Sequence, residues 1–358
     1  MSSSSQAQGI PIPPAGDLFA TLHASCAQLA KANNININLA NAKTFLSSTL
    51  TPELYADRVA HSFHPLPLRF DSQIDHINLL AVRALLNFGS GYRAELKQLT
   101  GRGAWDNIQF LVLAMHLDAH PLDAQRMHSV TASELAMLAN VPTHIDAPSP
   151  IAGVTVSEPS PLVPFLNLLA QTLNDTGKIL LDRGFMSLGQ FVMSTIGQSR
   201  SAATLVAALA STFPAFRDVA SLPGAPDKPV YLLKKAQFLA MDLYFSLPNV
   251  QAVHWVDIAD VGIPSDNVIP SVLVHLGILE LPADFLPSSH DVGPITVSFE
   301  KMAALRAASV HAVKEMTPML QYEPKFTVVL GSVIWAWAKV GDNRAKIPRL
   351  TLKDTCMF

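Results

Sequence analysis

The 358-residue sequence is poor in several things at once. It has two cysteines, Cys26 and Cys356, near opposite ends and with no Cys-x-x-Cys spacing. That excludes a disulfide-stapled scaffold and a cysteine zinc site, and it predicts a reduced, cytoplasmic protein. Charged residues make up only 15% of the chain, with Lys+Arg 25 against Asp+Glu 28. A net charge of -3 without basic clusters excludes a polyanion binder, because gripping a phosphate backbone needs grouped lysines and arginines. Long apolar runs are also missing: the most hydrophobic stretch, 326–338, is 13 residues, short of the ~18–20 that span a bilayer. Neither a membrane nor a nucleic acid is therefore expected as a direct partner. The first residues carry no basic start followed by an apolar core, so no secretory signal is read there.

What the chain does have is apolar material, 49% of its residues, arranged with helical rhythm. Ile74, Ile77, Leu80, Ala81, Ala84, Leu85 and Phe88 recur at three- and four-residue steps. The same period marks 162–173, 202–213, 232–247, 268–279, 302–316 and 328–339. Strand-like alternation is confined to short pieces at 154–156 and 295–297. The 26 prolines cluster in connections near 141–161, 221–229 and 281–294. The expectation is an all-α fold with at most a few short strands. Residues 1–16 read as a mobile Ser/Gln/Pro/Gly-rich tail, and 17–358 as one helical body that could have two lobes.

Several familiar motifs fail on inspection. Thr-Gly-Arg-Gly-Ala-Trp-Asp (100–106) has Asp106 where a dinucleotide loop needs a third glycine, and no strand precedes it. Gly177-Lys178 lacks both the upstream glycine and the Ser or Thr of a phosphate loop. Around Ser90 the nucleophile elbow would need glycine at Phe88. His116 and His120 share a helix face, but with no third ligand they read as a helix end before Pro121, and no metal is expected.

The scarce charges inside apolar helical stretches carry more information. Asp266 precedes the apolar run 268–279, so it reads either as a helix cap or as an ionised carboxylate at a positive helix end, suited to a cationic sugar-like transition state. Lys234, Lys235 and Asp242 lie on one helical stretch, with Lys235 and Asp242 two turns apart. They are a solvated stripe or a grip for a ligand phosphate. Arg306 is a lone charge on an apolar helix that either snorkels or binds an anion.

Nine segments, in order, carry a resemblance. They are His-Pro-Leu-Pro-Leu-Arg-Phe-Asp-Ser (64–72), a stretch from Asn78 that ends Leu-Asn-Phe-Gly-Ser-Gly-Tyr-Arg (86–93), and Thr-Gly-Arg-Gly-Ala-Trp-Asp (100–106). Leu-Asn-Asp-Thr-Gly-Lys (173–178), Phe-Pro-Ala-Phe-Arg-Asp (213–218) and 234–244 follow. The last three are Ser-Asp-Asn-Val-Ile-Pro-Ser-Val-Leu-Val-His-Leu-Gly (265–277), Leu-Arg-Ala-Ala-Ser (305–309) and Lys-Asp-Thr-Cys-Met-Phe (353–358). Together these resemble the queuosine salvage proteins, in particular their fungal branch. The resemblance implies an all-α fold similar to helix-hairpin-helix DNA glycosylases. It also implies hydrolysis of queuosine 5'-phosphate to the base queuine and ribose 5-phosphate, with no metal or organic cofactor. It makes Asp266 the catalytic residue. His64, Lys234, Lys235, Asp242, Asn267, Arg306 and Trp335 become substrate-binding candidates, the two lysines or Arg306 holding the phosphate. A DNA-repair reading rests on fold analogy alone and conflicts with the charge balance.

The sequence departs from the family pattern at three places: Gly331 stands where an acidic residue that helps bind the base is expected, Ala336 where some members carry another Asp, and Pro264 where an aromatic is expected. Losing a carboxylate that reads a base edge costs ~1–3 kcal/mol per unpaired polar group. These departures motivate an alternative: a relative that binds a deazaguanine or a protein partner without turnover.

Overall fold

The computed structural model describes residues 10–62, 68–151, 153–197, 199–287 and 294–358. The chain is mainly helical and divides into two compact units, residues 1–69 with 194–352 and residues 70–193 with 353–358. Among the described residues, no helix is long and apolar enough to cross a membrane.

In the first unit, the helix Phe299–Met316 is the core element. Met302, Ala304, Leu305, Ala307, Ala308, Val310, Ala312 and Val313 are all fully buried, so the helix is covered nearly all round. Its alanines let neighbours approach closely, and the helix Leu18–Ala32 packs along it. Ser298 caps it by accepting from the Lys301 N–H at 3.3 Å. The helices Ala202–Thr212, Lys234–Ser246, Val268–His275 and Thr327–Trp337 lie where the 3.6-residue period places them. Short two-stranded ladders join their ends: Val219–Leu222 with Ala225–Tyr231, Asn36–Ile37 with Leu279–Glu280, and Ile295–Thr296 parallel to Leu350–Thr351. The hairpin at 219–231 replaces part of an expected proline-rich connection. Pro226 and Pro229 interrupt any apolar alternation there, so the strand is hidden from a periodicity reading.

Part of the expected tail is anchored. The Tyr231 hydroxyl donates to the Pro11 carbonyl at 2.8 Å, and Arg217 donates to the Ile10 carbonyl. Residues 1–9 of that stretch lie outside the described residues.

The second unit holds the helices Gln73–Leu85, Ala104–Leu117, Ala124–Ser129, Ala132–Ala139 and Val163–Asp182, with one hairpin, His144–Pro148 against Thr155–Pro159. Both glycine-rich fragments turn out to be structural, one for packing and one for capping. Gly177 lies mid-helix where a Cβ would collide with the backbone of His128, so the glycine permits close helix contact. Gly101 ends the helix Arg93–Thr100 with φ 72°, and Asp106 caps the next helix by accepting from the Gly103 N–H at 3.3 Å. His120 and Arg126 both meet Asp118, at 3.2 and 3.0 Å, a local charge cluster beyond the end of the His116 helix.

Candidate active site

The segment 261–267 enters the helix Val268–His275 and carries Asp266. Three contacts shape it. The fully buried Gln237 accepts from the Gly262 N–H at 2.9 Å and donates to the Leu232 carbonyl at 2.8 Å. The Ser265 N–H bonds the Ile263 carbonyl at 2.9 Å, which tightens the turn. The Ser265 carbonyl in turn accepts from Arg306 Nε at 2.8 Å.

Asp266 satisfies both of its sequence readings at once. Its Oδ1 accepts from the Val268 N–H at 2.7 Å and the Ile269 N–H at 3.4 Å, so it caps the helix. Its Oδ2 accepts from the indole N–H of Trp335 at 3.0 Å. A carboxylate held on both oxygens by N–H donors is fixed in orientation. It remains half-buried.

Lys234 begins its helix directly after Leu233, whose left-handed φ of 48° is unusual for a branched side chain. Lys234 is 3% exposed and Lys235 fully buried, so the solvated-stripe reading of this helix is overturned. Burial pushes the Lys234 ammonium down to about 7. The Asp266 carboxylate opposes that shift, Lys235 and Arg306 add to it, and Asp218 opposes it. Lys235 Nζ lies 5.8 Å from the centre of the Phe216 ring. Asp242 is buried and accepts from the Ser246 hydroxyl at 3.1 Å.

Arg306 is neither snorkelling nor open to solvent. At 1% exposure it forms a two-pronged pair with Asp218, Nη1 to Oδ1 at 3.1 Å and Nη2 to Oδ2 at 2.5 Å. Asn267 is buried, and its amide donates to the Leu350 carbonyl at 2.8 Å, fastening the Leu350–Thr351 strand. Trp335 meets Asp266 through its N–H, while Lys339 Nζ stands 3.0 Å above its ring centre. His64 lies outside the described residues. The structure thus brings Asp266, Lys234, Arg306 and Trp335 into one connected cluster.

Sequence reasoning passed over Asp218, Gln237 and Lys339. Asp218 left a signal, as a charge ending the apolar segment Phe-Pro-Ala-Phe-Arg-Asp (213–218); Gln237, a polar residue in a helix full of apolar ones, left a weaker one. Gly331 has a steric explanation: a Cβ there would collide with Ile263 Cγ2, on the segment that carries Asp266.

A family model described as queuosine salvage protein matches residues 112–348, a span that includes Asp218, Lys234, Asp266, Arg306 and Trp335. Three similar proteins are each named queuosine 5'-phosphate N-glycosylase/hydrolase. The relative from Sphaerobacter thermophilus is 32% identical over 158 residues, covering 43% of this chain and 46% of its own. That from Mus musculus is 31% identical over 124 residues, 35% of each chain. That from Schizosaccharomyces pombe is 24% identical over 189 residues, 53% of each. The chain therefore spans about half, or less, of the length of the curated relatives it matches. A match that spans well over half of the sequence and encloses the whole Asp266 cluster makes the chain a member of the queuosine salvage protein family.

Proposed function

We propose that this protein hydrolyses the N-glycosidic bond of queuosine 5'-phosphate, as the names of its relatives describe. The observation that carries the reading is the Asp266 carboxylate, fixed by two backbone N–H groups and one indole N–H while still half-open. Cleavage of the bond from the ribose C1' to the base nitrogen leaves positive charge on the sugar ring. A pre-oriented carboxylate stabilises that charge without reorganising during the reaction. Water then adds its oxygen to C1', one of its protons goes to solvent, and the departing 7-deazaguanine nitrogen gains a proton. The products are queuine and ribose 5-phosphate.

Lys234 supplies positive charge for the 5'-phosphate. Because burial brings Lys234 to about 7, a bound dianion draws a proton onto it, and recognition of the phosphate is coupled to proton uptake. The test is release of queuine, followed by chromatography, from purified protein and queuosine 5'-phosphate. Asp266→Asn keeps an oxygen to cap the helix but loses the charge, so turnover should fall by about 10²–10³-fold or more with the fold intact. Wild-type protein that releases no queuine defeats the reading.

Gly331 favours a second reading, binding without turnover. With Ile263 packed against it, this position holds neither the expected carboxylate nor space for one. Calorimetry with queuine separates the two readings: tight binding by a protein that releases no base from the nucleotide is the mark of the second.

A further inference from the structure

The pair Asp218–Arg306 is buried, charged and outside any direct role in the chemistry above. Exchanging such a pair for well-packed apolar residues is often neutral or stabilising, so stability alone does not account for it. What the pair touches is more informative. One face of the guanidinium, Nε, holds the carbonyl of Ser265, the residue immediately before Asp266. Its other two nitrogens hold both oxygens of Asp218. Asp218 Oδ2 also accepts the backbone N–H of Lys234 at 3.2 Å, and the Asp218 carbonyl accepts from the Leu232 and Leu233 N–H groups at 3.0 Å each. These bonds hold Leu233 in its left-handed conformation and so set where the Lys234 helix begins.

We infer that Arg306 and Asp218 are positioning residues, a rigid buried link that sets the carboxylate of Asp266 relative to Lys234, and that Arg306 does not contact the substrate phosphate. The planar guanidinium suits this task because its donors leave in fixed directions, one toward Ser265 and two toward Asp218. At 1% exposure, with its three nitrogens donating within the protein, Arg306 has no open side from which to grip a phosphate. The inference rests on the proposed hydrolysis for its kinetic consequence but not for its structural one, and the experiment keeps the two apart.

Arg306→Lys retains the charge and loses the fork. Three quantities are measured on wild type and variant: kcat with queuosine 5'-phosphate, the Kd for ribose 5-phosphate by calorimetry, and the Trp335 indole N–H resonance, identified by its loss in Trp335→Phe. A positioning role predicts that kcat falls about 10- to 100-fold, since small displacements of reacting groups cost that much. It also predicts a ribose 5-phosphate Kd within about threefold of wild type, because a group that makes no contact with the phosphate contributes little to it. The indole resonance should move, because the carboxylate it bonds has shifted. A weakened Kd with kcat preserved would make Arg306 a phosphate ligand and overturn the inference; so would no change in the indole signal. If Arg306→Lys does not fold, Asp218→Leu combined with Arg306→Met removes both charges together and is read by the same three measurements. Wild type that shows no turnover defeats the proposed function alone, and the indole resonance still decides the inference.

Discussion

The two units differ in how much charge they bury. Residues 70–193 bury mostly amides and hydroxyls: Asn78, Asn107, Ser160, Thr172 and Thr176, with Arg83 the charged exception. These are satisfied by nearby backbone. Asn107 donates to the Gly103 carbonyl at 2.9 Å, and Asn78 bridges the Leu122 carbonyl and the Gly189 N–H at 2.6 and 2.9 Å. Residues 194–352 bury amides and hydroxyls too, Gln237, Asn267 and Ser309 among them, but add the charged Asp218, Lys234, Lys235, Asp242, Arg306 and Arg349. A buried amide that finds its partners costs little and fixes a turn or a cap. A buried charge carries a desolvation penalty that neutral groups avoid. A chain so sparing of charge concentrates most of the expensive kind in one unit, and three of those groups, Asp218, Lys234 and Arg306, are linked to one another and to the segment that carries Asp266. The difference lies in charge rather than in polarity as such.

Substitutions can break this contrast, and the largest effect belongs to Arg306→Ala. It strands Asp218 in the interior and should cost about 3–5 kcal/mol in urea denaturation. Asn107→Ala, its counterpart in the other unit, should cost about 1–3 kcal/mol and leave turnover per folded molecule unchanged. Equal losses from both would erase the distinction between paired charge and satisfied amide.

Gly331→Ala tests how tightly the Asp266 segment is held. Its added methyl meets Ile263, so about 1–3 kcal/mol of stability should go, with a parallel loss of queuine release. A variant as stable and as active as wild type would show that the segment yields freely.

The smallest effect is one of slope. Lys234 has its affinity for protons lowered to about 7 in the folded protein, against ~10.4 for a free lysine. Between those values the unfolded chain binds the extra proton, so stability rises as pH climbs from about 7 toward 10. Below pH 7 both states are protonated and Lys234 exacts its full penalty. Lys234→Met removes the penalty, so its advantage over wild type in denaturation should be greatest near pH 6 and shrink toward pH 10. An advantage that is flat across this range would mean that Lys234 titrates normally in the fold.

Helices were readable in the sequence because their signal is local. The stretch with Ile77, Leu80, Ala84 and Leu85 repeats its apolar residues at helical spacing, and it folds as Gln73–Leu85, buried all round from 77 to 85. The hairpin at 219–231 was hidden because its prolines mask the alternation. In the site, Asp266 stood out as an acid at the head of an apolar helix, and Trp335 came with the family resemblance. The partnership between them spans 69 residues of sequence and no periodicity encodes it. Arg306 was visible as an isolated charge, yet its partner Asp218 lies 88 residues away, and with the partner unseen the charge read as an anion site. Residue type announces that a charge needs a counterpart; only the fold says whether the counterpart is substrate or protein.

Asp266 has a consequence for how this protein can be watched. The half-buried carboxylate proposed for the chemistry is the same one that holds the Val268 and Ile269 N–H groups. Anything that pulls the carboxylate toward a ligand must loosen those two amides, and anything that frays the helix end must release the carboxylate. The hydrogen-exchange rates of two backbone protons therefore form a built-in gauge of the site, legible in the resting protein and before any bond is cut.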